Sequence, residues 1–272
     1  MKPYVFLAVI GLAAIVPAFA QPKQENLRQP PTAAQEAEAV KFFEIGNACS
    51  DEDSKCRIDA FTRAVAAYPD FAEAYNNRGS AFLLAGQKTD ALADFGRALE
   101  ADPGSVQAWY NRAVLYSQEG DFARSIADFQ AVIKLRPELG LAFTGLGNVL
   151  MKQERYDAAE LSFTRAIQLQ PEFAGNYYNR GLTLLFRDQF VRAESDFSKA
   201  LTIDDDITPA LLNRSICLRE KGDQRSALAD INEFIKRRPT DPRGFRTRAN
   251  VFARMGENAK AEADNRTAAR MK

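Results

Sequence analysis

Histidine is missing from all 272 residues of this chain, and that absence removes the commonest general base and the commonest metal ligand together. Ser-His-Asp and Cys-His catalytic sets are excluded with it. Net charge is missing too. Lys plus Arg and Asp plus Glu both number 36, so no field draws the chain toward nucleic acid or an anionic membrane. No Walker or dinucleotide-binding glycine loop occurs. Cysteine is scarce, at three residues, which rules out a disulfide-built scaffold. What remains is a globular composition, 46% hydrophobic and 26% charged, on a chain long enough to bury a large core.

One long apolar run stands at the start. Lys2 precedes the run Tyr4 to Val16, and Ala18-Phe19-Ala20 has the small-x-small form of a cleavage site. The pattern predicts a signal peptide over 1–20, cleaved after Ala20, and hence a secreted protein in a bacterial periplasm. The run is short for a membrane span, and an uncleaved anchor is the alternative. Cleavage removes Lys2 and leaves one excess acidic charge. In an oxidising compartment Cys49 and Cys56 predict a disulfide across the polar turn between them, with two free thiols as the alternative. Cys217, between Ile216 and Leu218, reads as an inert core thiol. Three prolines and many polar residues make 21–37 a flexible linker running into the start of a first helix.

From there a 34-residue period governs the chain. Tyr75, Trp109, Phe143, Tyr177, Leu211 and Phe245 each lie one period apart, and four residues on come Gly79, Ala113, Gly147, Gly181, Ser215 and Ala249. Within one unit Tyr75, Gly79 and Phe82 fall at helical spacing before Gly86. Ala91, Phe95 and Ala98 then do the same before Pro103. Each unit is therefore a helical hairpin too small to bury its own apolar face, and it must stack on its neighbours.

These positions resemble the tetratricopeptide repeat. The unit 72–105 fills every signature site: Tyr75, Gly79, Phe82, Gly86, Ala91, Phe95, Ala98 and Pro103. The resemblance implies an all-α fold, a right-handed superhelical solenoid of about seven stacked helix-turn-helix units. The predicted units are a degenerate N-terminal capping repeat at 38–71, repeats at 72–105, 106–139, 140–173, 174–207 and 208–241, and a C-terminal repeat with a polar capping helix at 242–272. In 140–173 Glu154 replaces the turn glycine, and in 208–241 Phe234 takes a site that usually holds alanine.

One pairing recurs inside the units. Arg78, Arg112, Arg180, Arg214 and Arg248 occupy position 7, and Asp94, Asp128, Asp196, Asp230 and Asp264 occupy position 23. Unit 140–173 has Leu146 and Ser162 instead, so both partners vanish together. The two positions are equidistant from the turn, which predicts bidentate ion pairs bridging the helices of each hairpin. An arginine row for anions is the alternative.

The resemblance also implies a concave groove lined by the first helices, at Asn76, Tyr110, Asn148, Tyr178, Leu182, Leu185, Phe186, Leu212, Ile216, Arg219, Arg243, Arg246 and Arg254. The apolar members of 174–241 followed by arginines suggest an apolar patch rimmed by charge, a pattern that marks interaction sites. Packing of that patch against neighbouring units is the alternative. The implied activity is a non-enzymatic protein-protein interaction scaffold or adaptor that holds an extended peptide or protein. It would need no cofactor, no metal and no nucleic acid. A self-associating assembly factor of the cell envelope is the second reading. A carboxylate-based accessory to an envelope hydrolase is the third.

Overall fold

The structure, a computed structural model, describes residues 30–50 and 52–271. The expected signal peptide 1–20 and residues 21–29 of the linker lie outside the described residues. Fourteen helices and no strand make up the described chain. They pair as hairpins: α1 (Ala33–Ala48) with α2 (Ser54–Ala67), α3 (Ala72–Leu84) with α4 (Lys88–Ala101), and α5 (Val106–Gln118) with α6 (Phe122–Leu135). The series continues with α7 (Gly140–Lys152) and α8 (Tyr156–Leu169), then α9 (Ala174–Leu185) and α10 (Phe190–Ile203). It ends with α11 (Thr208–Glu220) and α12 (Gln224–Arg237), then α13 (Pro242–Arg254) and α14 (Asn258–Arg270).

Local chemistry sets these boundaries. Thr32 and Gln35 close a capping box at the start of α1, each side chain serving the other's backbone N–H. Gly86 and Gly120 leave their first helices at φ of 75° and 80°, a conformation glycine adopts without steric cost. Glu154 and Asp188 hold the same turn at φ of 57° and 56°, where a Cβ is disfavoured by roughly 1–2 kcal/mol. These two adjacent hairpins, α7–α8 and α9–α10, therefore carry local strain that the glycine turns at Gly86, Gly120, Gly222 and Gly256 avoid.

One buried ring organises each hairpin from α1–α2 to α9–α10. Phe61, Phe95, Phe129, Phe163 and Phe197 are almost wholly buried on the second helices. In four of these hairpins a glycine of the first helix faces the ring, and a Cβ added to Gly79 or Gly147 would stand 2.8 or 2.7 Å from it. Removing that Cβ lets the two backbones close on the ring. In α1–α2 the glycine is Gly46, one residue nearer its phenylalanine than Gly79 is to Phe95. The first helix thus runs one residue out of the 34-residue register.

Second helices pack on the next first helix, and first helices touch one another from α3 through α13. The repeated step gives a stacked solenoid with the first helices along one continuous wall. Cys49 and Cys56 are joined by a disulfide across the α1–α2 turn. Closing so short a loop is worth roughly 2–3 kcal/mol through the unfolded chain. No helix among the described residues is long and apolar enough to cross a membrane.

Candidate functional site

The position-7 arginines are structural. Arg78 donates from Nε and Nη2 to the two carboxylate oxygens of Asp94, at 2.6 and 2.8 Å. Arg112–Asp128, Arg180–Asp196, Arg214–Asp230 and Arg248–Asp264 repeat the fork at 2.7–3.0 Å. The carboxylate hydrogen bonds hold Arg180, Arg214 and Arg248 above the ordinary guanidinium pKa. Aromatic faces cover three of the five guanidinium groups, those of Arg78, Arg112 and Arg248, and Trp109 covers Arg112 at 4.8 Å. No open arginine row is left for anions.

A third contact is not visible in the pair pattern. The remaining fork nitrogen reaches back to the preceding hairpin: Arg78 to Thr62, Arg180 to Thr164, Arg214 to Ser198 and Arg248 to Asn232. The equivalent residue facing Arg112 is Gly96, which offers no side chain, and Leu146 has no fork to extend. Polar residues at position 25 wherever an arginine follows, with glycine as the one exception, are the sequence signal that could have found these staples.

The wall of first helices carries a chain of side-chain amides. Asn77 donates to Asn47, Asn111 to Asn76 and Asn179 to Asn148, all between 3.0 and 3.1 Å. Asn213 donates to the Tyr178 hydroxyl. Each donating amide keeps a second N–H, and the carbonyls of Asn111, Asn179 and Asn213 keep their lone pairs, while that of Asn77 accepts from Asn76. Two hollows open on this wall and share Tyr110. One, of about 870 Å³, is lined by Glu73, Asn76, Asn77, Gln107 and Asn111, with Leu135 and Leu141 at its rim. The other, of about 520 Å³, is lined by Ser117, Gln118, Asn148, Lys152 and Asn179.

The apolar patch expected in 174–241 is largely packed away. Leu212 is buried, and Ile216 packs against the cluster of Leu211, Leu212 and Ile231. Tyr178, Leu182 and Leu185 lie half-buried against Leu184 and Phe197. Their helical stripe packs α9 against α10 and α11. Phe186 alone protrudes, 59% exposed, and stacks on Tyr156. The arginine end is similarly committed: Arg219 and Arg254 share Glu220, and Arg243 pairs with Asp241 at 2.6 Å. Arg243 in turn holds the Asp241 carboxyl below the usual carboxylate range. Arg246 stays exposed.

Chemistry finds little purchase elsewhere. Burial pushes the Cys217 thiol up to about 12, so it is protonated and inert. The exposed run Asp204-Asp205-Asp206 is a turn in which Asp204 caps the Asp206 N–H.

Sequence models of the tetratricopeptide repeat match residues 58–105, 85–139 and 140–173. Residues 58–173 are tetratricopeptide repeats. Several solved structures share the fold. YrrB, described as a tetratricopeptide-repeat protein with an unusual peptide-binding site, is 24% identical with a TM-score of 0.61, over 69% of this chain and 96% of its own. A tetratricopeptide-repeat protein from Parabacteroides merdae is 18% identical with a TM-score of 0.65, over 86% and 93%. Pseudomonas aeruginosa pilF is 14% identical with a TM-score of 0.68, over 78% and 96%. A search of curated proteins gives no match to this chain. The tetratricopeptide-repeat fold is a protein-protein interaction scaffold and generally non-catalytic.

Proposed function

We propose that the protein is a non-enzymatic adaptor that holds an extended peptide across the two hollows that meet at Tyr110. The observation that carries this reading is the amide wall. An extended peptide presents alternating N–H and C=O groups, and side-chain amides with unused donors and acceptors can pair with both. Tyr110 between the hollows offers a rigid ring of the kind that dominates binding energy. The solved relative YrrB, with its peptide-binding site, lends the reading support by analogy.

Peptides selected from a random displayed library against the purified protein test it. Tyr110→Ala is expected to weaken the selected peptides by about tenfold or more, a loss of roughly 1.4 kcal/mol or above. Arg246→Glu, at the far end, should leave them unchanged. The reverse pattern would move the site to the arginine end.

We also place the protein in the periplasm of a bacterial envelope. The apolar leader and the disulfide of α1–α2 support an oxidising destination. N-terminal sequencing of the mature chain is expected to begin at Gln21, and an intact Met1 in the purified envelope protein would sink this placement.

A further inference from the structure

We propose that the free N-terminal face of the α1–α2 hairpin is a self-association surface, through which two copies of this chain pair about a two-fold axis. In every later hairpin the corresponding face receives the second helix of the hairpin before it, as α3 receives α2. Among the described residues nothing precedes α1 to do so.

The face is built differently from its later counterparts. Gly46 seats Phe61 as Gly79 seats Phe95, so Ile45 stands where Arg78 stands and Ala60 where Asp94 stands. The bidentate ion pair is thereby replaced by two apolar side chains. They leave a hollow of about 520 Å³, lined also by Phe42 and Cys56. Ile45 is 43% exposed there. An apolar stacking face left open at the end of a solenoid is what a capping repeat ordinarily avoids.

Charge decides the occupant. Asp59 and Arg63 rim the hollow one turn apart on the same helix. Arg63 lies over the Phe42 ring at 5.1 Å, and neither charge forms an ion pair among the described residues. Two antiparallel copies of α2 would set Asp59 of each against Arg63 of the other, twice over. A surface that complements itself in this way fits a closed, isologous pair. Among the described residues the opposite end of the solenoid offers no large apolar counterpart. There α14 exposes Lys260, Glu262 and Arg266, so head-to-tail growth is unmatched.

Molecular mass by light scattering, across a wide concentration range, tests the pairing on the chain as purified from cells. The mass is expected to rise from one copy to two and stop. Ile45→Glu should hold it at one copy. Asp59→Arg and Arg63→Asp alter exposed side chains and should retain helical circular dichroism while each weakens pairing by about tenfold or more. Mixing those two single variants should restore the pair, because one copy then carries two positive and the other two negative rim residues.

A wild-type mass fixed at one copy would overturn the proposal. So would pairing by Ile45→Glu, failure of the mixture to recover, or growth beyond two copies. A single-copy protein whose α1 amides are protected from exchange by the residues that precede Pro30 would equally overturn it, by assigning the face to the chain's own N-terminal segment.

Discussion

Asp94→Ser is expected to destabilise the protein by about 3–5 kcal/mol, and adding Arg78→Leu to it is expected to recover much of that loss. The asymmetry follows from burial. The Arg78 and Asp94 side chains are 9% and 2% exposed, so removing the carboxylate leaves a guanidinium in a site that water hardly reaches. Removing both charges leaves a leucine and a serine, the combination that the α7–α8 hairpin already carries as Leu146 and Ser162. There Leu146 joins the apolar clusters around Phe129 and Phe163, and Ser162 bonds its own helix at the Ala158 carbonyl. The double variant is thus a transplant of a solution the chain already uses. Urea denaturation of both single variants and the double gives the coupling energy. A coupling near zero would mean that the two helices are held by the rings alone.

Phe163→Ala is expected to cost about 3–5 kcal/mol, through lost burial and the cavity left behind. The cavity should collapse poorly, because its nearest wall is the backbone at Gly147, which has no side chain to shift inward. That wall makes a sharper test. Gly147→Ala alone places a Cβ 2.7 Å from the Phe163 ring and should destabilise. The helix-propensity gain of roughly 1 kcal/mol is too small to offset a clash between two packed helices. In the Phe163→Ala background the same methyl enters empty space and should stabilise. If Gly147→Ala has the same sign in both backgrounds, contact between glycine and ring does not set the helix separation.

The all-α hairpin array was legible in the sequence because each requirement recurs in a fixed place. Phe95, Phe129, Phe163 and Phe197 keep the period, and Gly86 and Gly120 mark the turns. Two things were not legible. The register of α1 depends on where a ring meets a glycine in space, and Phe61 meets Gly46 one residue away from the place the period assigns. The apolar residues of α9 and α11 were ambiguous for a different reason. A first helix must pack on its own partner, on the preceding second helix and on its neighbouring first helices, and all of these contacts fall at spacings of three and four. Leu182 and Leu212 therefore match a groove anchor and a packing residue equally well on paper. Only the closed contacts around them separate the two.

The arginine staples are also unevenly spaced along the array. They tie α2 to α3, α8 to α9, α10 to α11 and α12 to α13. They are missing on both sides of α5–α6, where the polar cross-links are the hydrogen bond that the Asn111 amide donates to Asn76 and solvent-facing contacts such as Lys88 to Glu119 and Lys152 to Ser117. Tyr110 rides on that same hairpin. The ring at the centre of the proposed peptide site therefore sits on the hairpin whose two seams rest on apolar packing and solvent-facing polar contacts instead of guanidinium bridges.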